Sequence, residues 1–145
     1  MSLFQTGLFQ LASGASSNWK IECDALTAAD WGTLALMAYE QGLVRYFDRV
    51  MGVPRGGLAF ARALEPYAQA CVRCGVLRTH HHEPDHEYLT SLVNRVLVVD
   101  DVWTTGGSVE RFVTANLADV QVDVLVAFAR TASLPANTRA VWNLG

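Results

Sequence analysis

Apolar residues follow two rhythms along this chain. Between residues 19 and 23 they alternate with polar ones, as in a half-buried strand, and residues 7–11 read as a second short strand across the turn cluster 13–18. From Trp31 the spacing changes: Trp31, Leu34, Ala35, Ala38 and Tyr39 recur at the three-and-four interval of one helix face. Thr27, three residues before Asp30, is placed to cap that helix, and Gly42 ends it. Residues 49–53 read as a short buried strand, followed by the turn Pro54, Arg55, Gly56, Gly57 and a helix from Leu58 to about Leu64, with Pro66 marking its exit.

From 67 to 94 the rhythm blurs. A strand near 75–78 precedes the polar stretch 79–87, which reads as a mobile loop. Residues 95–99 are a β-branched and aliphatic run closed by Asp100 and Asp101; after 104–108 a helix carries Val109, Phe112, Val113 and Leu117 on one face. Residues 122–129 form another buried strand and 140–142 a last one. Continuous apolar strands alternating with helices predict an α/β fold, a mostly parallel central sheet covered on both faces. No repeat or linker interrupts it, and 145 residues suit a single domain over 1–145.

Composition narrows the class. With 51% hydrophobic and 17% charged residues the chain is not disordered, and a net charge of −3 excludes the broad basic face of a nucleic-acid or membrane-surface binder. The apolar run around Val98 is far short of the roughly 20 residues that cross a bilayer. Three cysteines, Cys23, Cys71 and Cys74, with no signal-peptide pattern, fit a reduced, cytoplasmic compartment. Lys20 is the only lysine among 11 basic residues, so positive charge aimed at a ligand has to come almost wholly from arginine.

Residues 96–108 carry the most chemistry. They place two adjacent carboxylates at the carboxyl end of a buried strand, where ligands of open α/β sheets bind, and then a hydroxyl- and glycine-rich loop before a helix N-terminus. Backbone amides, the hydroxyls of Thr104, Thr105 and Ser108, and the helix dipole suit a phosphate. The carboxylates would repel that phosphate, so they face sugar hydroxyls or a cation travelling with the ligand. A sugar phosphate satisfies both halves. A nucleotide P-loop requires a lysine after its second glycine, which is absent, and Gly-x-Gly-x-x-Gly occurs nowhere. The acid pair of a phospho-acceptor domain belongs on the first strand.

This segment closely resembles the phosphoribosyl pyrophosphate (PRPP) signature of the type I phosphoribosyltransferases. The resemblance implies that Asp100 and Asp101 hold the ribose and that Thr104, Thr105, Gly106, Gly107 and Ser108 hold the 5′-phosphate. Residues 52–57 look like the family's pyrophosphate loop, with Arg55 and Gly56 at the pyrophosphate and a non-proline cis peptide at Pro54–Arg55. Phe9, Leu11, Ser13, Gly14 and Ser17, followed by the strand 19–23, resemble the N-terminal hood of orotate phosphoribosyltransferases, formed here by about 1–26. Arg130, ending the strand 124–129, resembles the arginine that meets the orotate carboxylate, so Arg130 and Ser13 are the implied base-binding residues. The implied reaction joins orotate to PRPP with Mg²⁺ bound mainly through PRPP and pyrophosphate, in a homodimer whose mobile loops serve the partner's site.

The chain departs from that pattern where lysines are usual: Ala12 in the hood turn, Arg55 and Gly56 in the pyrophosphate loop, and no lysine in the mobile loop. That loop offers Arg73, Arg78, His80, His81, His82 and His86 instead, with Arg78 and His81 as implied PRPP ligands. Salvage of another base, and PRPP or nucleotide binding without catalysis, therefore stay open. Cys71 and Cys74 beside these histidines admit a zinc reading, but the spacing is shorter than in common zinc modules, and no resident metal is expected. Cys23 is expected as a buried residue of its strand. Trp103, where the family has a small or aliphatic residue, either covers the sugar site or packs under the hood.

Overall fold

The computed structural model describes residues 2–10, 16–44, 47, 49–71, 78–80 and 95–145. Strands β1 (Phe4–Gln10) and β2 (Ser16–Ile21) form a separate antiparallel pair, interrupted by a register shift between Thr6 and Phe9. The first strand is longer than its apolar run suggested. Cys23 lies not in a strand but at the start of a 3-10 turn, Cys23–Ala25, which Glu22 caps by accepting from the Asp24 amide. The apolar position stays buried while the backbone turns toward the next helix.

Helix α1 (Ala28–Glu40) starts where its cap predicts: the Thr27 hydroxyl accepts from the Asp30 amide and the Asp30 carboxylate from the Thr27 amide. Trp31, Leu34, Ala35 and Ala38 are its buried face. Strand β3 (Arg49–Gly52) leads to α2 (Leu58–Cys71), which runs on through Pro66 instead of ending before it. Proline removes one helix hydrogen bond and crowds the carbonyl four residues back, but tertiary contacts outweigh that cost. Phe60, Ala61 and Leu64 are fully buried; the Trp31 ring packs tilted against Phe60 with centres 5.4 Å apart, and Tyr39 against Tyr67, one residue beyond the proline, at 5.2 Å.

Strand β4 (Arg78–His80) claims Thr79 and His80, which the polar pattern assigned to a loop; the rest of that loop lies outside the described residues. Strand β5 (Arg95–Trp103) continues through both aspartates, because its pairing with β6 (Gln121–Ala129) persists to Trp103 opposite Ala129. Helix α3 (Gly107–Asn116) connects them, and β7 (Thr138–Asn143) completes a parallel sheet of order β4-β3-β5-β6-β7. Side-chain alternation divides the core between its faces. Leu97, Val99, Leu125 and Ala127 pack with α1 and α2, while Val96, Val98, Val124 and Val126 pack with Val109 and Phe112 of α3. The expected α/β architecture, covered on both faces, is the one observed.

Pro66 is exposed, so replacing it by alanine disturbs no core contact. Pro66→Ala is expected to stabilise the fold by about 1–2 kcal/mol, the regained helix bond outweighing the greater freedom of the unfolded chain. Urea denaturation measures this; a loss of stability would show that the helix depends on the proline.

Candidate functional site

The strand order reverses between β3 and β5. The chain leaves β3 through α2 toward β4 on one side, and leaves β5 through α3 toward β6 on the other. Loops leaving the carboxyl ends of two such neighbours diverge and open a crevice, the usual ligand position in an open α/β sheet. Both sequence constellations, 52–57 and 100–108, lie at this seam.

The turn after β3 is tied down by backbone bonds from the Val53 amide to the Val99 carbonyl, 2.9 Å, and from the Gly57 amide to the Val53 carbonyl, 2.8 Å. The Pro54–Arg55 peptide is cis. At Gly56 any Cβ would run into the Asp101 carboxylate, so glycine is what lets the two loops meet. Arg55 itself is exposed and lines neither cavity described below.

Asp100 is 5% exposed and accepts from the Asp101 amide at 2.8 Å; Asp101 accepts from the Val102 amide at 2.7 Å. Burial, and then the charge of Asp101, push Asp100 up to about 8. Two adjacent carboxylates that resist being charged together are suited to a ligand that brings hydrogen-bond donors or a cation.

Gly106 caps α3 in the left-handed region, φ 87°, without a side-chain cap bond. The first bond across its entrance runs from the Glu110 amide to the Gly106 carbonyl, 2.9 Å, so the amides of Gly107, Ser108 and Val109 precede the helical ladder. A Cβ on Gly106 would collide with the Trp103 ring. That ring therefore packs against the loop at Gly106, in a core cluster with Val109 and Phe112 that includes no residue of β1 or β2. Above it lies a cavity of about 40 Å³ lined by Thr104, Thr105, Gly106, Gly107, Ser108 and Arg111. A single water needs roughly 10–15 Å³ of such space, so there is room for a small anion.

Asp100, Thr104 and Ser108 also line a larger cavity of about 300 Å³ with Asp101, Lys20 and Arg130. The hairpin reaches this cavity through Arg130. Its guanidinium lies 3.6 Å from the centre of the Trp19 ring and donates to the Ser17 hydroxyl at 2.9 Å. Lys20, remote in sequence from both loops, comes to the same cavity, with its ammonium 3.2 Å from Glu22 and 4.9 Å over the Phe9 ring. Spacing alone could not have linked residue 20 to residue 100. Arg111 was also missed; its signal was a basic residue four positions after Gly107, on the helix face that looks back at the loop.

Other expected residues are placed differently. Arg78 opens β4 level with Arg49, two residues or roughly 7 Å back from His80, at the strand end away from the crevice. Ser13, His81 and Cys74 lie outside the described residues; Cys71 ends α2. Burial, and then the charge of Asp101, raise the Cys23 thiol so far that it stays protonated. Among the described residues, no three His, Cys, Asp or Glu side chains converge.

No family model and no curated relative matches this sequence. Solved structures do. An orotate phosphoribosyltransferase from Aeropyrum pernix matches with a TM-score of 0.70 at 23% identity, over 98% of this chain and 89% of its own. One from Mycobacterium tuberculosis H37Rv, in complex with Fe(III) dicitrate, gives 0.65 at 21%, over 97% and 89%. A xanthine-guanine-hypoxanthine phosphoribosyltransferase from Helicobacter pylori gives 0.53 at 16%, over 82% and 85%. Likenesses at such identities are likenesses of fold, and with the strand order and hairpin described above they establish that this chain has the type I phosphoribosyltransferase fold.

Proposed function

We propose that this protein transfers the phosphoribosyl group of PRPP to a nucleobase, with orotate as the base, forming orotidine 5′-monophosphate and pyrophosphate. The observation that carries this reading is the joining of two cavities through Asp100, Thr104 and Ser108, an anion-sized one at a helix N-terminus and a larger one holding both aspartates and Arg130. Asp100 and Asp101 take the ribose hydroxyls, residues 104–108 the 5′-phosphate, and the turn at Gly56 with Arg55 the pyrophosphate. Arg130 orients the base through its carboxylate, with Ser13 from the hood turn beside it. His81 belongs to a segment that would serve the leaving group, whereas Arg78, at the end of β4 away from the crevice, is left out of that role.

Positive charge develops at the anomeric carbon as pyrophosphate departs, so positioning, charge neutralisation and exclusion of water are the tasks. Orotate is already acidic and needs no dedicated general base. Mg²⁺ held chiefly by PRPP oxygens would neutralise the leaving group; the acid pair suits a cation that arrives with the ligand, whereas no three-ligand cluster occurs among the described residues. We propose further that residues 1–145 act as one transferase domain, in the cytoplasm and as a homodimer. Binding of PRPP without transfer is a second reading, favoured by the outward position of Arg55.

Incubation with PRPP, Mg²⁺ and a panel of bases should release pyrophosphate with orotate; release with a purine alone would reassign the base, and none with any base would leave the binding reading. Arg130→Ala should raise KM for orotate roughly 10- to 100-fold, the loss of a charge-assisted pair, with PRPP affinity little changed. Gly56→Ala and Asp101→Asn should each weaken PRPP binding by about tenfold or more in calorimetry, since one displaces the Asp101 carboxylate and the other removes its charge. Unchanged affinity in both would mean that the ribose lies elsewhere.

Ionisation of Asp100 also affects stability. Its carboxyl is raised on folding from 3.8 to about 8, so the native state is favoured below about pH 4 and loses that advantage as pH rises toward 8. In ligand-free protein Asp100→Asn should therefore melt higher than the parent by at least about 3 °C at pH 8, with little difference at pH 4. A lower melting temperature at pH 8 would show that the ionised carboxylate is stabilised in the fold.

A further inference from the structure

Arg111 has no role in the scheme above, yet its place is specific. It stands four residues after Gly107 and three after Ser108, on the helix face that continues the loop. Helical side chains lean toward the helix N-terminus, and this one does: its Nη1 lies 3.1 Å from where a Cβ on Gly107 would be. The residue lines the 40 Å³ cavity with Thr104, Thr105 and Ser108. It makes no hydrogen bond or ion pair among the described residues; its neighbour Glu110 forms none with it.

A guanidinium leaning over the positive end of a helix, beside amides that have no ladder partner, is repelled by its own surroundings. An anion between the guanidinium and those amides reverses the sign of both interactions. Arginine also presents a planar fork of donors that a phosphate can accept bidentately, which a lysine in the same place could not offer. The loop itself carries no charged side chain between Thr104 and Ser108.

We infer that Arg111 is a phosphate-binding residue that folds back over residues 104–108 and clamps a phosphomonoester against the N-terminus of α3. The inference rests on the reading of this loop as the 5′-phosphate site. It assigns to the second turn of the helix the cationic charge that the loop lacks, and it makes the site selective for the dianionic phosphomonoester end of a sugar phosphate. Pyrophosphate, at the turn containing Gly56, would not meet Arg111.

Calorimetry of the full chain with two probes, ribose 5-phosphate and inorganic pyrophosphate, tests this. Ribose 5-phosphate should bind Arg111→Ala at least tenfold more weakly than the parent, with a salt dependence shallower by about one charge. Arg111→Lys should recover part of that loss, and pyrophosphate affinity should stay within twofold in both variants. Melting temperatures of the ligand-free variants should equal or exceed the parent's, because the altered side chain has no partner among the described residues. If the parent binds ribose 5-phosphate and Arg111→Ala binds it equally well, the clamp is wrong while the loop reading stands. An equal loss for both probes would reduce Arg111 to a general electrostatic contribution and overturn the assignment. If the parent itself fails to bind ribose 5-phosphate, the loop reading fails and the clamp with it.

Discussion

Parallel pairing of β3 with β5 is the constraint on which the rest of the molecule depends. Because the chain departs from these neighbours in opposite directions, their two loops open side by side. The pairing also brings Gly56 against the Asp101 carboxylate and holds the Val53 amide on the Val99 carbonyl, so the turn after β3 and the acids of β5 form one surface. Shifting the register by one residue would reverse every side chain on β5 and move Asp101 off Gly56. One strand pair thus determines the core division and the crevice together.

The crevice is assembled at the expense of stability. Asp100 is buried beside a second carboxylate, where desolvation and like charge both oppose its ionisation, and Arg111 leans on the positive end of a helix with no hydrogen-bond or ion-pair partner among the described residues. The acids stand at the end of β5, and Arg111, Arg130 and Lys20 line the same two cavities. Such a surface is complementary to a ligand that carries hydroxyls in the middle and anionic groups at its ends.

The hairpin is joined to the sheet by an arginine that serves two purposes. Stacking on Trp19 and a bond to Ser17 fix one face and one edge of the Arg130 guanidinium, while its backbone amide is bonded to the Trp103 carbonyl. The same Trp103 supports the loop at Gly106 from below. The hairpin, Arg130 and the loop at Gly106 are therefore mechanically connected through Trp19, Arg130 and Trp103.

Much of this was legible in local pattern. Apolar spacing specified α1 and its cap at Thr27, the buried strands and the face of α3, because each depends on residues a few positions apart and on the burial of one face. The order of acids, hydroxyls and glycines in 100–108 pointed to a sugar phosphate for the same reason: the chemistry is contiguous in the chain. Where local and tertiary forces disagreed, the pattern failed. Pro66 ends a helix by itself, but packing of Phe60, Leu64 and Tyr67 carries α2 through it. The aspartates look like the end of a strand, but pairing with β6 extends β5 past them to Trp103. Likewise, only the folded chain brings Lys20 to the acid pair, turns Trp103 beneath Gly106 and lays Arg111 over the loop. The sequence alone determined most of the elements that form and which residue types they present at the strand ends, since those follow from short-range periodicity and residue type. Which distant side chains share the crevice was decided by strand order and register, which only the packed sheet defines.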